Sequence, residues 1–191
     1  MTAAAAPRRS DVTRAAILDA ARARFAADGY ERATIRAIAA DAGIDPAMVM
    51  RYYGNKEKLF AAAADFDLRM PDLTGLSETG YGRALARHFV HRWEADDTFL
   101  ALLRAAVSNE AARDRMRQVF ASQIGPLVAS VCPPGQADTR AGLVASQALG
   151  LAFCRYALRL QPLAQLSEEE LVDWLAPTLQ RYLTGSRSDA G

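Results

Sequence analysis

The side chains of this sequence that are best suited to hydrogen-bond recognition lie between Thr34 and Lys56. Arg51 and Tyr52 are adjacent there, and Lys56 follows shortly after them. An arginine can donate two hydrogen bonds to guanine O6 and N7 or to a phosphate, a tyrosine hydroxyl donates to phosphate, and a lysine ammonium attracts it. These side chains are therefore suited to binding the phosphates and the base edges of a nucleic acid.

Two short helices are predicted to position these side chains. Thr34 can cap the first through its hydroxyl, and Gly43 can adopt the left-handed conformation that ends it. Asp45 followed by Pro46 is typical of the N-cap and first turn of a second helix. The apolar face of the first helix comprises Ile35, Ile38, Ala39 and Ala42. Two helices joined by so tight a turn form a helix-turn-helix, whose second helix enters the DNA major groove.

The second helix, from Pro46 to about Tyr52, is predicted to bury Val49 and to expose most of its other side chains. The candidate DNA-binding residues are Thr34, Arg36, Pro46, Ala47, Met48, Met50, Arg51, Tyr52 and Lys56. Side chains at the start of this helix can contact thymine methyl groups, and Thr34 can present its hydroxyl to a phosphate. Helix capping alone would also explain Thr34, and the alternative for Arg51 and Tyr52 is an ordinary solvated surface.

The same stretch resembles the N-terminal signature of the TetR (tetracycline repressor) family of bacterial transcription regulators. The residues that carry the resemblance are Gly29-Tyr30, Thr34-Ile35, Ile38-Ala39, Ala42-Gly43-Ile44, Tyr52-Tyr53 and Lys56-Glu57-x-Leu59. The match covers roughly residues 10 to 60. One departure is Met50, where the family often has an aromatic residue, so this position lacks the hydroxyl that would contact a phosphate.

The pattern around the helix-turn-helix predicts one helix before it and one after it. The first is capped by Ser10 or Asp11 and runs to about Asp28, where Gly29 stops it. The fourth begins near Lys56 and is predicted to run to about Met70, as one rod joining two domains. The predicted core of the N-terminal domain consists of Ile17, Ala21, Phe25, Ile35, Ile38, Ile44, Val49, Leu59 and Phe60.

The remaining pattern is helical throughout and shows no strand-like alternation. Further helices are predicted near 81–95, 97–109, 110–131, 137–160 and 167–184. The predicted fold is all-α with about nine helices. It divides into a disordered basic arm at 1–9, a DNA-binding domain at 10–58, a ligand-binding and dimerisation domain at 59–185, and a tail at 186–191.

Charge is distributed unevenly, although the formal net charge is only +1. Residues 1–58 hold ten Arg and Lys against seven Asp and Glu, whereas the remainder holds thirteen against fifteen. The excess of positive charge at the N-terminal end has the sign expected of a DNA-binding surface.

Catalytic and metal chemistry have little support in the sequence. The G-x-S-x-G, P-loop, G-x-G-x-x-G and H-E-x-x-H motifs are all absent. His88 and His91 are three residues apart on a predicted helix, but no Cys, Asp or Glu stands at the spacing that would complete a metal site. We therefore expect no enzymatic activity, no metal and no cofactor.

The family resemblance also implies an effector cavity among the helices between about 81 and 160. Candidate lining residues are Phe89, Trp93, Phe99, Met116, Phe120, Gln123, Gln147 and Phe153. Each of the large apolar side chains is individually better explained as plain core, and their identities select no ligand. The resemblance further implies a homodimer formed through the last two helices, at about 137–184.

Two isolated cysteines, Cys132 and Cys154, fit a reducing cytoplasm better than a disulfide framework. The N-terminus lacks the apolar run of a signal peptide, and no stretch is long enough to span a membrane. The expected location is therefore the cytoplasm, without a membrane partner.

The function predicted from these features is a DNA-binding transcriptional regulator, a repressor released from a palindromic operator by a small-molecule effector. The alternative is a helical ligand-binding or enzymatic bundle that does not bind DNA. The dependence of DNA affinity on salt distinguishes them, because only DNA binding by phosphate contacts gives a steep negative slope.

Overall fold

The structure, a computed structural model, describes residues 8–64, 67–94 and 97–186. Within these ranges it contains nine helices and no strand, which confirms the all-α prediction. They are α1 (Arg9–Arg32), α2 (Ile35–Asp41), α3 (Pro46–Tyr53), α4 (Lys56–Ala63), α5 (Tyr81–Glu94), α6 (Asp97–Ser108), α7 (Glu110–Val119, continued by the π-turn Phe120–Ile124 and by Gly125–Val131), α8 (Ala137–Ala152, extended by the π-turn Phe153–Ala157) and α9 (Glu168–Thr184). None of the helices is both long and apolar enough to cross a lipid bilayer, as far as the described residues extend.

The N-terminal domain is formed by α1 to α4 around an aromatic centre. The Phe60 ring packs edge-on against Phe25 and Tyr30, with centroid distances of 4.9 and 5.0 Å. Seven of the nine predicted core residues are buried, whereas Ile35 and Ile44 are half-buried and pack against the core from its rim. Such edge-to-face aromatic packing stabilises beyond the area that it buries.

The first helix differs from its prediction at both ends. It begins at Arg9, with Arg8 as an N-cap that makes no side-chain capping bond, so Ser10 and Asp11 lie inside the helix and the predicted caps were wrong. Of the predicted disordered arm, residues 1–7 lie outside the described residues. Gly29 interrupts the helix as predicted, because its φ of 75° is left-handed, although one further turn follows as far as Arg32.

The fourth helix ends at Ala63, so the predicted rod to Met70 was wrong. Residues 67–73 are not helical, because groups on the C-terminal helices bind their backbone instead. The Leu68 N–H donates to Gln123 Oε1 at 2.6 Å, and the Leu68 carbonyl accepts from His88 Nε2 at 2.7 Å. Burial lowers the pKa of His88, which favours the neutral ring at this contact. The domains are thus joined by a non-helical linker that the C-terminal domain holds in place.

The C-terminal domain is organised around α5 and α9, which pack against each other along their length. Their approach is closest at Gly82, whose backbone N–H donates to Gln180 Oε1 at 2.7 Å. On the exposed side, Arg83 pairs with Asp173 at 2.6 Å and with Glu169 at 3.0 Å. The closeness of the two backbones explains why only glycine fits at 82.

Replacement of Gly82 by alanine is expected to destabilise the protein by about 1–3 kcal/mol. The added Cβ would overlap the Ala176 carbonyl oxygen and lie 2.6 Å from the Gln180 backbone nitrogen, and neither is a flexible side chain that can move aside. Urea unfolding followed by circular dichroism measures the effect. Gly75→Ala is the matched control, because a Cβ at Gly75 meets nothing within 4 Å. An unchanged midpoint for Gly82→Ala would contradict the close approach of the two helices.

Candidate nucleic-acid interface

Three local hydrogen-bonding features shape α2, α3 and the turn between them: a cap on each helix and a backbone bond at the end of α2. Thr34 Oγ1 accepts from the Ala37 N–H at 3.1 Å and caps α2. At the other end of α2, Gly43 has a φ of 65°, and the Ile44 N–H reaches back to the Ala39 carbonyl at 2.9 Å. Asp45 then caps α3 by accepting from the Ala47 N–H at 2.7 Å. The predicted helix-turn-helix is therefore confirmed, and each cap satisfies a backbone group that the helix leaves free.

The third helix buries one side and exposes the other. Val49 has 0% of its surface exposed and anchors α3 to the domain core, as predicted. On the opposite side Pro46, Ala47 and Arg51 are exposed, and Met50 retains 43% of its surface. Met48 and Tyr52 are only half-buried, so they lie at the edge of this face. The exposed side is short and largely apolar, with one guanidinium at its C-terminal end.

Tyr52 is accompanied by an arginine that the sequence analysis did not single out. The guanidinium carbon of Arg14, on α1, lies 5.3 Å from the centre of the Tyr52 ring. The neighbouring Tyr53 hydroxyl donates to the Arg14 carbonyl at 3.1 Å, which fixes that part of α1 against α3. Arg14 is exposed, and it adds a second positive charge beside the outer face of α3. In the sequence, the only indication that Arg14 belongs to this surface was the presence of a basic residue near the start of α1.

Lys56 is half-buried and already makes contacts within the domain. Its Nζ donates to the Glu31 carbonyl at 3.1 Å and lies 4.4 Å from the centre of the Tyr30 ring. The Tyr30 hydroxyl in turn donates to the Glu57 carboxylate at 3.0 Å. Burial is the main cause that raises the pKa of Tyr30 to about 12, and this carboxylate contact is the second. An ammonium has three donors, so Lys56 retains capacity for a phosphate while also tying α4 to the end of α1.

A surface clamp fixes α1 relative to α2. The Arg24 guanidinium donates two hydrogen bonds to the Asp41 carboxylate, at 2.7 and 2.6 Å. These bonds hold the pKa of Asp41 below its usual value. Arg36, the remaining predicted contact on α2, is exposed between the Thr34 cap and this clamp. All nine predicted DNA-binding residues thus lie on one small domain, in α2, α3 and the start of α4, with Thr34 at the N-cap of α2.

The residues predicted to line an effector cavity lie in the packed part of the C-terminal domain. Phe89, Trp93 and Phe99 form a stack with successive ring-centroid distances of 5.3 and 6.1 Å. Met116 is buried, and Phe120, Gln147 and Phe153 are half-buried. Gln123 is also half-buried, and its Oε1 holds the linker at Leu68. The indole nitrogen of Trp93 is buried without a hydrogen-bond partner among the described residues.

Metal binding has no geometric support in this part of the chain. Across the residues that the structure describes, no three His, Cys, Asp or Glu side chains come together as a possible metal site. His88 donates to the Leu68 carbonyl from a half-buried position, and His91 is exposed. The side chains of the two histidines therefore lie in different environments.

Two family models match the chain. The model described as bacterial regulatory proteins of the tetR family covers residues 17–63, and the model described as the tetracyclin repressor-like C-terminal domain covers residues 80–183. No curated protein sequence matches. The two matched segments correspond to the N-terminal domain and to the helices that follow the linker.

Several solved structures share the fold. A TetR-family regulator from Streptomyces coelicolor A3 is 26% identical, with a TM-score of 0.66 over 94% of this chain and 99% of that one. A TetR-like transcriptional regulator from Rhodococcus sp. RHA1 is 21% identical, with a TM-score of 0.63 over 93% and 97%. The fatty acid degradation regulator FadR from Bacillus halodurans is 18% identical, with a TM-score of 0.65 over 92% and 96%.

Proposed function

Because this chain belongs to the TetR family of DNA-binding transcription regulators, we propose that it is a cytoplasmic repressor that binds a palindromic operator as a homodimer. A small-molecule effector bound in the C-terminal domain releases it. The proposal assigns DNA contact to the nine candidate residues of α2, α3 and α4, together with Arg14.

The observation that carries the proposal is the exposed side of α3. A capped helix that buries only Val49 presents Arg51 outward at its end, where a guanidinium can reach a guanine edge or a phosphate. In the proposed complex, Thr34 and the backbone N–H groups at the start of α2 bind a DNA phosphate. Positioning by phosphates and reading by α3 are the two components that specific DNA binding requires.

A second copy of the chain is the proposed partner of α8 and α9. Trp174 on α9 is 79% exposed, so most of a large aromatic surface that association could bury faces solvent, and Leu143 on α8 is 41% exposed. Gly142 and Gly150 lie on α8 with open space where a Cβ would project, so close packing within the chain does not explain them. A twofold pairing of these helices would cover the exposed tryptophan and set the recognition helices about 34–36 Å apart, to meet successive major grooves.

The linker between the domains is the proposed route from effector to DNA. Arg22 on α1 donates to the Ala63 carbonyl at 3.2 Å, and Arg115 on α7 donates to the Ala64 carbonyl at 3.3 Å. Gln123 holds the next part of the linker at Leu68. An effector near the Phe89, Trp93 and Phe99 stack would shift α5 and α7, and with them the end of α4. A coupling free energy of about 1–3 kcal/mol is sufficient for a useful switch.

A salt series on DNA from upstream of the protein's own gene tests the proposal. We expect log affinity to fall linearly with log salt, with a slope of about −0.9 for each phosphate contacted, and an inverted repeat to be preferred over the same DNA with one half-site scrambled. Fluorescence anisotropy at several salt concentrations measures both quantities. A flat salt response with no preference for the repeat would favour a helical ligand-binding bundle instead.

A further inference from the structure

A cleft of about 770 Å³ is lined on one side by α1 of the DNA-binding domain and on the other by the C-terminal domain. It is lined by four arginines, Arg22 from α1, Arg104 from α6, and Arg155 and Arg159 from the end of α8 and the segment after it, together with Tyr156. Small-molecule sites have volumes of about 300–1,000 Å³, so the cleft is large enough for an organic ligand. Its lining residues include none of the candidate DNA-binding or effector-cavity residues named above, although Arg155 and Tyr156 lie at the end of α8, one of the two helices proposed for dimerisation.

Positive charge in this cleft is only partly neutralised. Arg22 pairs with Asp19 at 3.0 Å, and Arg155 pairs with Glu94 at 3.3 Å. Arg104 donates only to the Tyr156 carbonyl, at 3.4 Å, and Arg159 makes no hydrogen bond or ion pair with any described residue. Two guanidinium groups on one cleft thus lack a carboxylate among the residues that the structure describes, which favours an anionic occupant.

The walls between the arginines are apolar. Ala23, Ala26 and Ala27 form the side contributed by α1, and Leu100 and Ala164 contribute from the C-terminal domain. Small side chains on α1 leave the space open, and burial of apolar surface there would add to the affinity of a ligand that carries a hydrocarbon body. The chemistry of the cleft therefore fits a molecule that is anionic at one end and apolar elsewhere.

We propose that this cleft binds a small organic carboxylate, whose carboxylate is bound by Arg104 and Arg159 and whose hydrocarbon body packs on the alanines of α1. The site is built from both domains, because its lining comes from α1 and from the C-terminal helices. Arg22 also donates to the Ala63 carbonyl at the end of α4. A ligand here would bias how the DNA-binding domain sits on the C-terminal domain. That second step rests on the proposed repressor function, whereas ligand binding itself does not.

Octanoate is the probe, tested with the full chain by isothermal titration calorimetry in the absence of DNA. Octylamine and 1-octanol carry the same hydrocarbon with a positive and a neutral head, so they separate charge recognition from apolar binding. We expect saturable binding of octanoate at millimolar concentration, and at least about tenfold weaker binding of the other two. Absence of saturable octanoate binding, or equal binding of all three, would overturn the proposal.

The variant Arg104→Gln/Arg159→Gln is expected to weaken octanoate binding about tenfold. The control is Arg113→Gln/Arg117→Gln, which removes two exposed arginines of α7 and is expected to change affinity less than twofold. Arg159→Gln alone removes no hydrogen bond or ion pair with any described residue, so it provides a folded test should the double variant be unstable. Unchanged octanoate affinity in a folded Arg159→Gln variant and in the double variant would overturn the assignment.

The linkage to DNA is measured separately. If the repressor function holds, saturating octanoate should change operator affinity between about fivefold and 150-fold in the wild type and not in Arg104→Gln/Arg159→Gln. Because octanoate binding is measured without DNA, a protein that fails to recognise an operator can still confirm or refute the carboxylate site. Octanoate binding without any change in operator affinity would overturn the linkage alone.

Discussion

Replacement of Arg51 by alanine is expected to weaken operator binding by about 1–3 kcal/mol for each half-site, hence by about 2–6 kcal/mol for a dimer that reads two. Arg51 is the exposed guanidinium of α3, and it projects from the side opposite the buried Val49. Alanine removes the donors without disturbing the domain core. The expected result is a large loss of affinity for the specific repeat with little loss for unrelated DNA, measured by anisotropy on both.

Arg117→Ala is the matched control, because Arg117 is an exposed arginine of α7 whose ion pair with Asp114 lies on the helix surface. Its removal should leave DNA affinity and dimerisation unchanged. If Arg51→Ala bound the repeat as tightly as the wild type while remaining dimeric, the outer side of α3 would not be the reading surface.

Lys58 offers a cleaner test of phosphate contact than Lys56. Alanine at Lys56 would also remove the bond to the Glu31 carbonyl and the contact with the Tyr30 ring, so a loss of DNA affinity would mix binding with folding. Lys58 is exposed at the start of α4. This choice follows from the structure, since the sequence analysis named only Lys56 as a candidate for phosphate contact.

Replacement of Trp174 by glutamate is expected to convert the protein to a monomer and to lower operator affinity at least about a hundredfold. A tryptophan can bury about 150–250 Å², which at about 25 cal/mol per Å² corresponds to roughly 4–6 kcal/mol per copy as an upper limit. The variant replaces this contribution with a carboxylate on each copy at the proposed interface, where its desolvation would oppose association. Sedimentation over a concentration series measures the assembly, and anisotropy measures the DNA affinity.

Val107→Glu is the control for this variant. Val107 is 70% exposed at the end of α6, outside the α8 and α9 surface, so the same charge placed there should leave the dimer intact. A Trp174→Glu protein that remained dimeric at all concentrations would show that the last two helices are not the interface. Circular dichroism of both variants confirms that the helices are formed.

The helix-turn-helix could be predicted from the sequence because its signals are local. Thr34, Gly43 and Asp45 each act on backbone groups within a few residues, so their chemistry alone specifies where α2 ends and α3 begins. Val49 was likewise predictable, since a helix this short has one side to bury. The assignments of these residues to DNA, and of Phe89 and its neighbours to an effector, stay predictions.

The end of α4 could not be predicted in the same way. Helical propensity favoured continuation to Met70, but Leu68 is held by Gln123 and His88, which are distant in sequence. The partnership of Arg14 with Tyr52 has the same origin, because it joins α1 to α3. The arginine cleft unites residues from 22 to 164, and no spacing rule relates them.

The sequence by itself determined the helical class, the helix-turn-helix and the exposed character of Arg51, because caps, glycine turns and apolar spacing act over one or two helical turns. Only the tertiary structure decided three features. These are where α4 ends and the non-helical linker begins, which lysine already makes contacts within its own domain, and which arginines line the same cleft. These features depend on side chains that meet across the fold, and their contact energies outweigh local preference without leaving a pattern along the chain.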